Sequence, residues 1–270
     1  MRTVTKDTTL CVSLAARPSN IGTRFHNFLY EALDLDYVYK AFAPADLAGA
    51  VAGVRGLPIR GAAVSMPYKE AVIPMLDELD PSAAVLQSVN TIVNTDGHLV
   101  GHNTDYTAVA SLLRSHAVPV TPVLLRGSGG MAKAVGAALR DAGFTDGTLV
   151  ARNEATGRAL ADELGWTWAP DVDGRTAPLV VNVTPLGMTG ADAHARAFDD
   201  ATVAAASVVF DVVALPAETP LIRAARASGT PVLTGAEVIA LQAEEQFVLY
   251  TGVRPDPALV REASEWSRRP

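Results

Sequence analysis

Val123-Leu-Leu-Arg126-Gly127-Ser128-Gly129-Gly130-Met131-Ala132 is the stretch that decides how this chain folds. A short apolar run enters a glycine-rich turn, and the helical pattern Met131 to Ala142 leaves it, with Gly143 placed to cap its end. The spacing is G-x-G-x-x-A. Gly127 permits a tight turn, Gly129 lets the backbone approach a pyrophosphate, and Ala132 lets the helix lie close to its strand. The first helical amides then face the phosphates. Glycine triplets arise by chance, so the strand-turn-helix context is what makes this a dinucleotide-binding turn. The next strand, Thr148 to Ala151, ends in Arg152-Asn153, with no carboxylate before Glu154. A site for NAD presents an acidic residue there, whereas arginine pairs with a ribose 2′-phosphate, so the expected cofactor is NADP. An arginine that merely ends a strand is the plainer alternative.

Apolar runs and helical patterns alternate outward from this turn in both directions. Upstream, strands are expected at Thr9 to Leu14, Tyr37 to Phe42, Gly61 to Ser65, Val89 to Asn94 and Leu99 to His102, the last two joined by a Thr95-Asp96-Gly97 turn. Helices are expected at Thr23 to Leu33, Pro44 to Val54 and Glu70 to Leu79. Downstream, Leu179 to Val183, Val208 to Val213 and Pro231 to Leu233 read as strands. Ala155 to Leu164, Pro220 to Ser228, Val238 to Tyr250 and Pro257 to Trp266 read as helices. Continuous apolar strands between helices suit a parallel sheet covered on both faces. The alternation stops near Arg114 and resumes near Val123. The expected fold is therefore α/β in two domains, 1–114 and 115–237, with helices of 238–270 returning to the first.

Bulk properties narrow the function. The 270 residues, 49% of them hydrophobic, can build a sizeable core. The formal charge of −7 and the scattered arginines argue against a nucleic-acid partner. A single cysteine, Cys11, excludes an internal disulfide framework, and the five histidines show no spacing suited to zinc, so no metal is expected. No apolar run reaches the roughly 18 residues of a membrane span, and the N-terminus lacks the apolar core of a signal peptide. A soluble, cytoplasmic protein acting on a small molecule is expected, as a monomer or homodimer.

Lys69 closes the apolar segment Gly61-Ala-Ala-Val-Ser65-Met-Pro-Tyr-Lys69, and lysine otherwise occurs only at Lys6, Lys40 and Lys133. An ammonium in a partly dry cleft exchanges protons and an arginine does not. From this segment alone, a solvated lysine opening the next helix is the simpler reading. A second polar cluster is Gly101-His-Asn103-Thr104-Asp105, where Asp105 also suits a helix cap. Asn90-Thr91 is a third polar pair, between Val89 and Ile92. The Gly-x-Ser-x-Gly elbow of a serine hydrolase is absent.

Taken in order, these fragments resemble the shikimate dehydrogenase family from about Asn20 to Gly252. Val64-Ser65-Met-Pro67-Tyr-Lys69 resembles the family's V-T-x-P-x-K, and Val89-Asn90-Thr91 its V-N-T. Asn103-Thr104-Asp105 matches N-T-D, and Ala151-Arg152-Asn153 resembles N-R-T. Asn182-Val-Thr184-Pro-Leu-Gly187-Met188 resembles N-A-T-S-x-G-M, and Gly235 to Phe247 carries the closing pattern with Gln242-Ala243. The resemblance implies a substrate domain and a Rossmann domain with the active site in the cleft between them. It implies Lys69 as acid/base group with Asp105 as partner, and Asn20, Ser65, Asn90, Asp105 and Gln242 at the substrate. For the cofactor it implies Gly127, Ser128, Gly129, Gly130 and Met131 at the pyrophosphate, and Arg152 with Asn153 at the 2′-phosphate. Thr184, Val212 and Gly235 would line the nicotinamide end.

Several family groups are missing. The S-x-S pair that binds the substrate carboxylate, counted back from His26-Asn27, is Asn20 and Gly22 here, with Thr23 or Arg24 as neighbouring substitutes. Ala63 stands for an asparagine and Ala214 for a tyrosine. Each lost hydrogen bond to a polar substrate costs about 0.5–1.5 kcal/mol. The pattern resembles the divergent shikimate dehydrogenase-like branch. It implies an NADP-dependent oxidoreductase for shikimate and 3-dehydroshikimate, or for a related cyclic polyol carboxylate. The alternatives are a quinate dehydrogenase using NAD, which Arg152 argues against, and a non-catalytic nucleotide-binding sensor, which the retained Lys69 and Asp105 argue against.

Overall fold

The strands of the N-terminal half build one sheet and those of the C-terminal half another, in a computed structural model that describes residues 3–269. Two compact units result. One is the chain up to Thr104 together with the chain from Ala240 onward, and the other is Asp105–Ile239.

In chain order the first unit holds β1 (Thr9–Leu14), α1 (Asn20–Ala32), β2 (Tyr37–Phe42), α2 (Leu47–Gly56) and β3 (Gly61–Val64). It continues with β4 (Glu78–Leu79), α3 (Pro81–Ala84), β5 (Thr91–Thr95) and β6 (His98–His102). The sheet order is β2-β1-β3-β5-β6-β4. β1 runs parallel to β2 and β3, whereas β3, β5 and β6 alternate in direction. The β5–β6 hairpin closes through two residues with positive φ, Asp96 (51°) and Gly97 (88°), the geometry that matches the twist of adjacent strands. Alternation along β1 sends its side chains to opposite faces. Val12 and Leu14 join Val51 and Val54 of α2 in one core. Cys11 joins Phe25, Leu29 and Tyr30 of α1 in another, which the C-terminal helices complete through Phe247, Tyr250, Val260 and Ala263.

The second unit begins in α4 (Thr104–Ser115), continues with β7 (Val123–Arg126), α5 (Gly130–Asp141), β8 (Gly147–Val150) and α6 (Glu154–Leu164). β9 (Thr167–Ala169), β10 (Leu179–Asn182), α7 (Asp200–Ala205), β11 (Val208–Asp211), α8 (Pro220–Ala227) and β12 (Val232–Thr234) follow. α9 (Gly235–Thr251) starts in this unit and ends in the first, where α10 (Pro257–Ser267) lies. All six strands are parallel in the order β12-β11-β10-β7-β8-β9. The chain reverses its direction of winding between β7 and β10, and the carboxyl ends of strands at such a point bound the usual ligand crevice. Gly127 and Thr184 follow those two strand ends.

Three expectations change. Glu70 to Leu79 is not a helix: it holds a single 3₁₀ turn at Ile73–Met75 and then β4, which pairs with β6. Pro74 removes an amide donor from the middle of that stretch, which favours an isolated turn over a continued helix. The units part at Thr104/Asp105, earlier than the expected boundary at Arg114, and the return falls at Ala240. Tyr106 explains part of this, because its hydroxyl donates to Asp141 Oδ2 at 2.7 Å and ties α4 to the end of α5. The short elements α3, β9 and α7 were not foreseen. Each spans six residues or fewer, too few to display a period.

Candidate functional site

In the first unit, one asparagine organises the polar residues. Asn90 is 3% exposed, and its Oδ1 accepts from Thr104 N at 2.8 Å, Thr104 Oγ1 at 3.2 Å and Thr91 Oγ1 at 2.8 Å. The backbone N–H of Thr104 can only donate, so the atom facing it is the amide oxygen and the Nδ2 group points elsewhere. That Nδ2 is buried with no hydrogen-bond partner among the described residues. Asn90 therefore caps α4 with one end of its amide and presents a donor with the other. A buried unmet donor costs about 1–3 kcal/mol, a cost that a bound oxygen acceptor removes.

The surroundings of Asn90 come from well-separated parts of the sequence. Gln242 Oε1 lies 3.4 Å from Thr104 Oγ1, whose one proton it shares with Asn90 Oδ1, and Gln246 Nε2 donates to Thr91 Oγ1 at 3.0 Å. Asn103 Nδ2 donates to Ser88 O at 2.9 Å, and its own N–H donates to Ser82 Oγ at 3.0 Å. Ser82 in turn donates to Asp80 Oδ1 at 2.6 Å. The segment after β3 is pinned by Ser65 N to Leu14 O at 2.9 Å, Tyr68 N to Ser65 O at 2.9 Å and Val89 N to Lys69 O at 2.8 Å. Lys69 itself is half-buried there, and Ser65 is exposed. Asn20 is the exposed first residue of α1, capped by Ser19. Of the two suggested substitutes for the missing serines, Arg24 is drawn away by Nη1 donating to Arg269 O, and Thr23 Oγ1 is buried without a partner among the described residues.

In the second unit a cavity of about 410 Å³ sits at the end of β7. It brings together Gly127, Ser128, Gly129, Arg152, Asn153 and Thr184, while Gly130, Met131, Val212 and Gly235 lie outside its lining. Gly127 has φ of +127°, and a Cβ there would lie 3.0 Å from Val183 O, so glycine is required. Gly129 and Gly130 face open space where a Cβ would stand, and Gly129 is the N-cap of α5 with no side chain closing its amides. Asn153 is spent as the N-cap of α6, accepting from Thr156 N at 3.1 Å, and Ser128 Oγ lies 2.8 Å from Thr156 Oγ1. Arg152 is exposed. This bare glycine turn, with a helix N-terminus and a guanidinium around it, fits the phosphates of a dinucleotide.

Behind the cavity a buried network fixes the ends of β10 and β11. Asn182 Nδ2 donates to Asp211 Oδ1 at 2.9 Å, Thr219 Oγ1 donates to Asp211 Oδ2 at 2.6 Å, and Val213 N donates to Asp211 Oδ1 at 3.1 Å. Thr184 N and Oγ1 both donate to Asn182 Oδ1, at 3.0 and 2.6 Å. Burial raises the Asp211 carboxyl above the usual range, and the three donors partly oppose this. Gly235 is set by a different constraint. A Cβ there would stand 2.2 Å from Val212 O and 2.5 Å from Val213 C, both backbone atoms. Gly235→Ala is therefore expected to cost about 3 kcal/mol, the upper end of overpacking penalties. Urea unfolding measures it, with Gly56→Ala as control because a Cβ at Gly56 meets nothing within 4 Å. Equal stability of the two variants would remove the steric argument.

The sequence reading missed Arg126, Thr156 and Gln246. Arg126 closes an apolar strand and carries no motif letter, and Gln246 reaches Thr91 only through the return of α9.

A mixed sheet in one unit and a fully parallel sheet in the other is an architecture shared with solved shikimate dehydrogenases. The profile of the shikimate dehydrogenase substrate binding domain matches residues 20–92. A shikimate dehydrogenase-like protein from Haemophilus influenzae is 49% identical over 267 residues, 98% of each chain. The solved shikimate 5-dehydrogenase of Thermus thermophilus, in complex with NADP(H) and shikimate, superposes with a TM-score of 0.86 at 32% identity, covering 96% of this chain and 99% of that one. The quinate dehydrogenase of Corynebacterium glutamicum, in complex with NAD, gives 0.87 at 29% identity, covering 96% and 98%. The chain belongs to the shikimate dehydrogenase family.

Proposed function

We propose that this chain is an NADP-dependent oxidoreductase that interconverts a hydroxyl and a ketone on shikimate or a closely related cyclic polyol carboxylate. The observation that carries this is the unpaired, buried Nδ2 of Asn90, whose other end fixes the helix on which Asp105 stands. A site built to donate to a substrate oxygen discriminates strongly against analogues that lack it. Lys69 takes the proton of the substrate hydroxyl on oxidation and returns it on reduction. Asp105 holds the ammonium and the hydroxyl in line, and Asn90 and Gln242 meet the remaining hydroxyls. Gly127 to Met131 hold the pyrophosphate, Arg152 the 2′-phosphate, and the segments at Thr184, Val212 and Gly235 border the nicotinamide. The cofactor, when bound, accepts or returns the hydride.

The test is absorbance of NADPH with purified protein, NADP⁺ and a panel of shikimate, quinate and related acids. Turnover with at least one supports the reading. Cofactor binding without turnover on any of them sinks the enzymatic reading in favour of a nucleotide sensor. The missing side chains at Ala63 and Ala214 and the loss of the serine pair point to weaker shikimate use than in relatives that keep those groups. The quinate dehydrogenase among the structural neighbours, bound to NAD, motivates a second reading. Arg152 weighs against it, and a lower Michaelis constant for NAD⁺ than for NADP⁺ would decide in its favour.

A further inference from the structure

Arg126 is the last residue of β7 and lines the same cavity as Arg152 and Asn153. It also lines a second cavity of about 460 Å³ with Ala197 and Phe198, so this residue borders both spaces. Its Nη1 donates to Ala197 O, which fixes the plane of the fork and leaves further N–H groups to donate. Two arginines thus border one cavity. The acidic residue that shares it, Asp171, faces Arg175 at 3.9 Å instead. Neither Arg126 nor Arg152 has a carboxylate partner among the described residues. Half-burial and the neighbouring Arg152 charge both hold the Arg126 guanidinium below its ordinary range. Two like charges in a half-buried pocket repel, and a dianion between them reverses the sign of the interaction.

We infer that Arg126, together with Arg152, forms a two-arginine clamp for the 2′-phosphate of NADP and is the residue that sets cofactor preference alongside Arg152. This rests on the NADP reading above. It adds a specificity group that comes from β7, ahead of the glycine turn, and not from the segment after β8. Arginine suits the role because its fork binds a phosphate through paired donors, and the Ala197 anchor pre-orients it. Asn153 and Thr156 contribute less, since both are engaged at the start of α6.

The experiment is calorimetric binding of 2′,5′-ADP and of 5′-AMP, which differ only in the 2′-phosphate, with inorganic phosphate as a third ligand. Wild-type protein is expected to prefer 2′,5′-ADP. In Arg126→Met that preference falls about tenfold or more while the 5′-AMP affinity stays within about twofold, as expected for loss of one charge-assisted contact. Arg126→Lys, which keeps the charge and loses the fork, falls between the two. If Arg126→Met unfolds, Arg126→Lys alone decides: an undiminished preference there overturns the fork. The inference is also overturned if Arg126→Met keeps the wild-type preference, if it weakens both nucleotides equally, or if inorganic phosphate binds as tightly as the 2′-phosphate contributes. A wild-type protein with no preference for 2′,5′-ADP overturns instead the NADP reading on which the clamp stands.

Discussion

Lys69→Met is expected to lower kcat by about 10²–10⁴-fold, the usual worth of a positioned acid/base group, with NADP⁺ affinity unchanged. Methionine keeps the length and apolar stem of lysine and removes only the ammonium. Lys69→Arg is expected to be as inactive, because a guanidinium keeps the charge and cannot release its proton. That pair of variants separates proton transfer from simple charge. If a positive charge near the substrate were all that mattered, arginine would restore most of the rate. Asp105→Asn is expected to reduce kcat by a comparable factor, and the double variant by little more than either alone, since groups that act as a unit lose their effect together. Steady-state rates on the preferred substrate, with cofactor binding followed by fluorescence, give all three results. A Lys69→Met enzyme within about threefold of wild-type kcat would return Lys69 to the solvated lysine that its local sequence suggests.

The readings that succeeded used patterns in which local sequence and final environment agree. Gly127-Ser-Gly129-Gly130 could be recognised because each glycine answers a local demand: positive φ at one, open approach at the others. Five of the six strands of the second unit were legible because a strand buried on both faces must be apolar throughout, and they sit within a residue or two of their expected limits. The sixth, β9, is too short and too exposed to show that pattern. Glu70 to Leu79 misled because its apolar residues suit a helix while Pro74 and the pairing of β4 with β6 do not. Only the tertiary partner reveals that choice.

The site divides the same way. Lys69, Asn90, Asp105 and Arg152 stand in recognisable fragments and were named. The dual role of Asn90 was not readable, because its partner Thr104 lies across the β5–β6 hairpin and its amide is oriented by a backbone N–H. Arg126 was hidden for a related reason. A charged residue at the end of an apolar strand looks like the edge of the strand until the cavity beside it is seen. The division between units falls one residue into α4: Thr104 belongs to one unit, while Asp105 and the buried Ala108, Val109, Leu112 and Leu113 belong to the other.

His26 makes the folded protein acid-sensitive. It is 0% exposed on α1, stacked on Tyr39 of β2 at 4.4 Å between ring centroids, with Phe25, Tyr30, Phe247 and Tyr250 around it. Neither ring nitrogen has a hydrogen-bond partner among the described residues, and the groups facing it from α1, β2 and α9 are aromatic rings and the neutral amide of Gln246. Burial in this cage lowers its pKa from 6.5 to about 3, with the Gln246 side chain acting in the opposite direction. The ring is therefore neutral in the folded state wherever the unfolded chain would protonate it. Its contribution is full above pH 6.5 and is lost as pH falls toward about 3, with a slope of about 1.4 kcal/mol per pH unit. By pH 5 the loss is about 2 kcal/mol, a large share of the 5–15 kcal/mol typical of a domain. His102, also lowered by burial, adds to the slope, while Asp211 and Glu244, raised by burial, act in the opposite sense at lower pH. The clean measurement is thus a difference. Urea unfolding of wild type and His26→Phe between pH 7.5 and 5 is expected to show a steep fall in the first and a shallower one in the second. The stability of wild type relative to the variant should fall by about 2 kcal/mol over that range, whatever phenylalanine costs or gains in packing at neutral pH. Parallel curves for the two proteins would mean that the cage admits the protonated ring, and the burial argument for His26 would fail.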